Sequence, residues 1–538
     1  MQHVDSIRQW PRLRYWTPAT TSLGIAELEC LRYALQFSAG VTFNVDASGI
    51  LLFASPSQGC LAFASVDEDG LSIVGNMQQR TFDVVYDVAR EMIGFDELLH
   101  ANHRLHVLQI IRCLLSIEPS GVSAQTLAAS SGNKLTVVHR HGPCSPIINT
   151  RQKLNHRQIL HRDQARVISL HNRISAASRK DKSTGITVPD HVGISFSTSD
   201  YIVTVGFGTP KKSFSVIFDT GSDISWIQCR PCAGGCYSQN ETLFDPSQSS
   251  TYANISCSSA VCLSFGSACD ASSTCIYAVR YGDNSSTVGF LAQETLTLTP
   301  SNVLTNFEFG CGEKNKGLFG SVAGLVGLGR GEVSLASQAA QEYGGVFSYC
   351  LPPRVSSTGY LTLGASGPAP NVRFTPMLTN PAKPSFYYVE LIGLSVGGKN
   401  LPIPPSTFTD TGTIIDSGTV ITYLPSSGYS ALRDEFRRQM ANYSMAPPLP
   451  MLDTCYNFTG VGSISLPSVG LRFSGGVTLD VDPSGILYPA SISQACLAFS
   501  GNSDPSSISI IGNTVQRTYD IVYDVARGMI GFGAGGCS

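Results

Sequence analysis

One short pattern occurs twice and constrains this chain more than any other feature: Asp219-Thr220-Gly221-Ser222 and Asp416-Ser417-Gly418-Thr419. Each copy follows an apolar run, 215–218 or 413–415, and precedes another, 224–227 or 420–424. Short apolar runs bounded by turn signals read as buried strands. A glycine-permitted turn at the end of such a strand places its carboxylate in a cleft rather than in a core. Two such turns can set two carboxylates face to face. A close pair cannot hold two negative charges, so it shares one proton and can activate a water. One copy alone would be ordinary turn chemistry, arising by chance roughly once in 10^4 positions. Two copies 197 residues apart, both with strand-like flanks, are a pattern. A third stretch, Asp410-Thr411-Gly412-Thr413, follows 405–409, a poor buried strand, and reads as a turn.

Histidine usage excludes the main alternatives. Of ten histidines, one is His3 and the other nine lie between His100 and His191. From Val192 onward there is none, which excludes Ser-His-Asp and Cys-His catalysis and histidine-ligated zinc there. No phosphate-binding loop or dinucleotide fingerprint occurs. Hydrolysis by paired carboxylates needs no cofactor, and neither cofactor nor metal is expected.

With these residues the chain resembles the pepsin-type (A1) aspartic proteases, in the plant nepenthesin-like group, nearest to the branch with the chloroplast nucleoid DNA-binding protease. The resemblance covers residues 131–538, a propeptide included. It implies a mainly β, bilobal fold with the cleft between lobes, and an endopeptidase using Asp219 and Asp416 on a peptide or protein substrate. Each active-site turn would be backed by an apolar-apolar-Gly segment, Leu325-Val326-Gly327 and Ile510-Ile511-Gly512. Tyr281 and Gly282 resemble the flap over the substrate, and Trp226 the partner of the flap tyrosine. Ser222 and Thr419 resemble the hydroxyls on the outer carboxylate oxygens. Thr220 and Ser417 would cross-link the turns, with Gly221 and Gly418 completing them. Two rivals are a catalytically inactive inhibitor or binding protein on the same fold, and a nucleoid DNA-binding protease.

Charge bears on the second rival. Residues 196–538 carry 17 Lys+Arg and 23 Asp+Glu, net −6. Phosphate contacts need clustered cations, so nucleic acid is not expected as a partner of this unit. Its Gly, Ser, Thr, Val and Ile content and many turn signals read as mostly β, with one helix expected over Ser430–Tyr443. Residues 101–195 carry 13 Lys+Arg and 4 Asp+Glu, net +9. Within them 134–139 reads as a strand, and Ile159 or Leu160, Val167, Leu170 and Ile174 as one helix face. This part resembles the group's propeptide, which implies that the basic segment inhibits the acidic unit.

Twelve of sixteen cysteines lie in the acidic unit: Cys229, Cys232, Cys236, Cys257, Cys262, Cys269, Cys275, Cys311, Cys350, Cys455, Cys496 and Cys537. The even count favours six disulfides and an oxidising compartment, the secretory pathway with apoplast or vacuole as destination, and the chloroplast as alternative. The resemblance implies a cysteine-rich insert after the first turn and a Cys455–Cys496 bridge; the other pairings stay open. Sequons at Asn240, Asn254, Asn284, Asn442 and Asn457 agree with secretion. A monomer without a membrane span is expected.

Residues 37–95 repeat 473–532, with Gln79–Arg90 echoing Gln516–Arg527. The expected organisation is a partial duplicate of a protease C-terminal end over 1–100, a basic propeptide-like segment over 101–190, and lobes over 191–375 and 376–538. The first ten residues lack the apolar core of a signal peptide. A start at Met92 would place the apolar stretch 106–117 near the front, with Val122-Ser123-Ala124 as a cleavage site.

Overall fold

The computed structural model describes 134–140, 142, 144–147, 156–178, 191–192 and 201–537, less 266–267, 282–284, 318, 356, 365–370 and 492, together with six short upstream strands. The chain forms two compact units, Met1–Leu127 and Ala128–Ser538. In the first, three antiparallel pairs are described: Tyr33–Gln36 with Thr42–Val45, Leu51–Ser55 with Gln58–Leu61, and Phe82–Asp87 with Met92–Glu97. The third pair has Asp83 opposite Asp96 and Asp87 opposite Met92. In the C-terminal copy Asp520 opposes Gly533 and Asp524 opposes Met529, the same hairpin in the same register. The expected start and cleavage site near Met92–Ala124 lie largely outside the described residues.

The second unit is mainly β and has two lobes. In the first, Lys212–Asp219 pairs in parallel with Gly324–Gly327, and Trp226–Gln228 pairs antiparallel with that same strand. The second lobe repeats the device: Thr413–Ile415 runs parallel to Ser509–Ile511, with Tyr423 of Thr422–Leu424 antiparallel to Ile510. These strands are buried on both faces, which is why they read as continuous apolar runs. Lys212–Asp219 and Thr413–Ile415 each lead into one of the two repeated turns. The expected helix is present but spans Ser426–Gln439. It starts four residues early because Pro425 can precede a first turn and Tyr429 joins Leu432 and Phe436 on its buried face.

Upstream residues are built into this unit. Lys134–His139 pairs with Tyr201–Phe207 on one side and Thr358–Leu363 on the other, filling a central place in the large sheet. The helix His156–Ser178 follows, and its Ile159, Leu160, Val167 and Leu170 share one apolar cluster with Phe386, Tyr388, Ile414, Val420, Ile421 and Ile510. Asp410 closes the short helix Ser406–Thr409 and is exposed, with no buried strand before it.

Six disulfides lie in the 201–537 part: Cys229–Cys311, Cys232–Cys236, Cys257–Cys269, Cys262–Cys275, Cys350–Cys537 and Cys455–Cys496. Cys262–Cys275 ties the cysteine-rich insert to the strand Cys275–Arg280.

Candidate active site

The two repeated turns meet. Gly221 N–H donates to Asp219 Oδ1 at 2.9 Å and Gly418 N–H to Asp416 Oδ1 at 3.0 Å. Ser222 Oγ donates to Asp219 Oδ2 at 2.8 Å, and Thr419 Oγ1 donates to Asp416 Oδ2. The turns are cross-linked: Thr220 N–H donates to Ser417 Oγ at 3.1 Å, and Ser417 N–H to Thr220 Oγ1 at 2.9 Å. A Cβ at Gly221 would stand 2.7 Å from Asp416 Oδ1, and one at Gly418 2.4 Å from Asp219 Oδ1. Only glycine lets the turns approach so closely. Behind them, Leu328 N–H donates to Asp219 carbonyl O, and Asp416 N–H to Ile511 carbonyl O.

Tyr281 and Trp226, expected at the flap, lie in the first lobe. Strands Cys275–Arg280 and Ser286–Thr299 form an antiparallel hairpin, and Tyr281 N–H donates to Ser285 O at 2.7 Å. Trp226 Nε1 donates to the Tyr281 hydroxyl at 2.7 Å, and Phe319 packs edge-on to the Tyr281 ring. Gly282 and the Asn284 sequon lie outside the described residues.

Arg166 is not among the site residues expected from sequence, yet it lies on the dyad. From the helix His156–Ser178 its Nη2 donates to Asp219 Oδ1 at 2.7 Å and to both oxygens of Asp416 at 2.9 Å. Its Nε reaches Asp416 Oδ2 and Thr419 Oγ1, each at 3.1 Å. Asp163, one turn earlier, is fully buried and accepts from Val420 N–H at 2.7 Å, Ile421 N–H at 3.0 Å and the Tyr423 hydroxyl at 3.2 Å. The signal was available: Asp163 and Arg166 stand at helical spacing from Ile159 and Leu170, two charges on an otherwise apolar stripe.

Electrostatics follow from this contact. Burial pushes the Asp219 carboxyl up, but the Arg166 charge and its hydrogen bond outweigh that and hold it below the ordinary carboxylate range. Asp416 goes up, because burial and the neighbouring Asp219 charge outweigh the same guanidinium. Burial works against the Arg166 charge, yet the two carboxylates raise its pKa overall, so it stays protonated at any working pH. Among the described residues no group of three or more His, Cys, Asp or Glu is placed to hold a metal ion, and no described helix is long and apolar enough to cross a membrane.

Residues 201–365 match the family description "Xylanase inhibitor N-terminal", and residues 29–97 and 386–534 match "Xylanase inhibitor C-terminal". An aspartyl protease family protein of Arabidopsis thaliana is 46% identical over 443 residues, covering 80% of this chain and 93% of that protein. Aspartic proteinase nepenthesin-2 of Nepenthes gracilis is 39% identical over 360 residues, covering 65% of this chain and 80% of its own. Among solved structures, basic 7S globulin from soybean superposes with a TM-score of 0.51 at 22% identity, over 62% of this chain and 92% of that one.

Proposed function

The chain belongs to the plant nepenthesin-like branch of the pepsin-type aspartic protease family, and we infer from that membership that it is an endopeptidase cutting peptide bonds in acid. The observation that carries the reading is the pair Asp219 and Asp416, close enough to share one nitrogen of Arg166, each held by a glycine N–H and a hydroxyl. With the guanidinium gone, a water takes its place. One carboxylate accepts a proton from that water as its oxygen attacks the scissile carbonyl carbon. The protonated partner donates to the carbonyl oxygen, and the tetrahedral diol then breaks its C–N bond as the amine gains a proton. The apparent pKa values belong to the pair, so neither role is tied to one residue. An inactive inhibitor on this fold would have no need of the matched donor sets on both carboxylates.

Tyr281 closes over the peptide. Tyr281→Phe deletes the hydroxyl that accepts from Trp226 Nε1 and should lower kcat by about tenfold through a looser flap. A Tyr281→Phe enzyme with unchanged kcat and KM would remove the flap from the mechanism.

Residues 101–190 act as an inhibitory propeptide. The Asp163 and Arg166 contacts, with the Lys134–His139 strand, support this role. Release is acid-driven at two points. Asp219 is held low by Arg166, so docking is favoured while that carboxylate is charged and is lost as pH falls through its depressed value. His171, whose Nε2 lies 3.0 Å from Ile508 O, is held below its ordinary value by burial, against the hydrogen bond to that carbonyl and the charge of Asp504. The docked helix therefore binds fewer protons there than the free one, and docking weakens as pH falls from about 6.5. Asp416, raised in the docked form by burial and by the Asp219 charge, takes up its proton more readily there, so it opposes acid release rather than driving it. His171→Asn should move the midpoint of activation to lower pH, read by the appearance of processed protein across a pH series. An unchanged midpoint would leave Asp219 as the sole trigger. Charge attraction between net +9 and net −6 adds to docking and is screened by salt.

The six disulfides support maturation in an oxidising compartment, the secretory pathway, and the exposed Asn240, Asn254, Asn442 and Asn457 are the proposed glycosylation sites. The lobes run over 191–375 and 376–538, and 1–100 derives from a second protease C-terminal end. A peptide map of the natural protein would reveal that duplicate and any glycans.

A further inference from the structure

The helix across the dyad also marks what the cleft holds on either side of the reaction centre. Asp163 precedes Arg166 and meets Val420 and Ile421. Arg173 follows it by seven residues, about 10 Å along the helix axis, on the other side of the dyad. Its guanidinium carbon stands 5.1 Å over the ring of Phe386, a cation–π distance. Burial works against the Arg173 charge and lowers its pKa overall, with Arg166 adding a like charge, while the fields of Asp223 and Asp219 offset part of that cost. Asp223 stands one residue beyond Ser222 and takes no part in the reaction described above. It is fixed in place: its Oδ1 accepts from Gly331 N–H at 2.8 Å, and Ser385 also bonds it. A Cβ on Gly331 would come within 2.5 Å of the Asp223 carboxyl carbon, so the loop is shaped around this side chain. Tyr388 borders the same space, and the half-buried Lys383 opposes it with a like charge.

The geometry points to a substrate subsite for an arginine or lysine side chain where Arg173 now lies, with Phe386 as its aromatic wall and Asp223 as its counter-charge. This rests on the endopeptidase reading, since the helix must leave for a substrate to enter. Burial pushes the Asp223 carboxyl up, against the pull of its Gly331 and Ser385 bonds and of Arg173. Preference for a basic side chain should therefore be larger near the upper end of the working pH range, where that carboxylate is charged. Arg166, Arg173, Asp219, Arg330, Lys383, Tyr387 and Tyr388 are charged or titratable groups acting on this site.

The test uses the acid-processed protein and a peptide series varied one position at a time on the side of the scissile bond away from Val420 and Ile421. One position should prefer Arg or Lys over Leu or Gln by about tenfold in kcat/KM, the scale of a partly desolvated cation–π and ion contact. Asp223→Asn keeps the acceptor for Gly331 N–H and removes the charge, so that ratio should fall toward one. Lys383→Gln removes the opposing charge and should raise it. Because the readout is a ratio between peptides, changes at the reaction centre cancel. Efficient cleavage with a flat profile overturns the subsite and leaves the endopeptidase reading standing. Failure to cut any peptide overturns that reading, and equilibrium binding of a 156–178 peptide then tests the subsite alone. Arg173→Leu in that peptide should weaken binding about tenfold, and equal binding would overturn the inference.

Discussion

Asp416→Asn, or Asp219→Asn, should abolish peptide hydrolysis. Neither asparagine can take the proton from water or hold the shared proton for the carbonyl oxygen. Removing one member of a unit that acts together costs on the order of 10^4 in kcat. The fold should survive, because an asparagine Oδ1 still accepts from Gly418 N–H or Gly221 N–H, and the Thr419 or Ser222 hydroxyl can rotate to accept from the new amide. Asp410→Asn is the matched control. Asp410 is exposed at the end of the Ser406–Thr409 helix, so this variant should cut as fast as the parent. A statine-type transition-state mimic should bind the parent more than about 10^2-fold tighter than a substrate of similar size, and bind both dyad variants poorly. Full activity in Asp416→Asn, or equal loss in Asp410→Asn, would overturn the dyad.

Why the dyad turns were legible and Arg166 was not has a physical cause. The turns are local: four residues, a buried strand on each side, and an apolar-apolar-Gly segment behind. Each requirement leaves its own mark in sequence. The cross-links between Thr220 and Ser417 join residues 197 positions apart, and the twofold repetition made them visible. Arg166 meets Asp219 and Asp416 across 53 and 250 positions, and nothing in its own neighbourhood repeats. Its only trace was a charge on an apolar helical stripe, which also marked Asp163. Lys134–His139 was readable as a strand from its composition, but its place between Tyr201–Phe207 and Thr358–Leu363 was not, since pairing partners are set by the whole sheet. The helix near residue 430 shows the ordinary limit at element ends. Its apolar periodicity located the middle, and the proline that set its start lay outside that period.

Arg166→Ala should unlock the precursor. In the docked form one guanidinium supplies the countercharge for two buried carboxylates, which keep almost no contact with solvent. Removing one partner of such a cluster costs about 3–5 kcal/mol, because the carboxylates left behind are buried without compensation. That is a weakening of docking by roughly 10^2- to 4 × 10^3-fold. Protonation of the dyad would offset part of that cost, so release should begin at a pH where the parent precursor remains locked. Arg166→Lys keeps the charge on a compact ammonium that cannot match the forked contact to Asp416 and Thr419, and should fall between the two. Asp163→Asn gives an independent reading, away from the dyad. It keeps one acceptor for the Val420 and Ile421 N–H groups, loses the charge, and should weaken docking by about tenfold. All three are read in the full-length precursor by binding of a statine-type probe and by the pH at which the segment upstream of residue 201 is cut. If Arg166→Ala and Asp163→Asn both keep the activation midpoint of the parent, the helix is not the lock, and the strand Lys134–His139 would have to carry the inhibition alone.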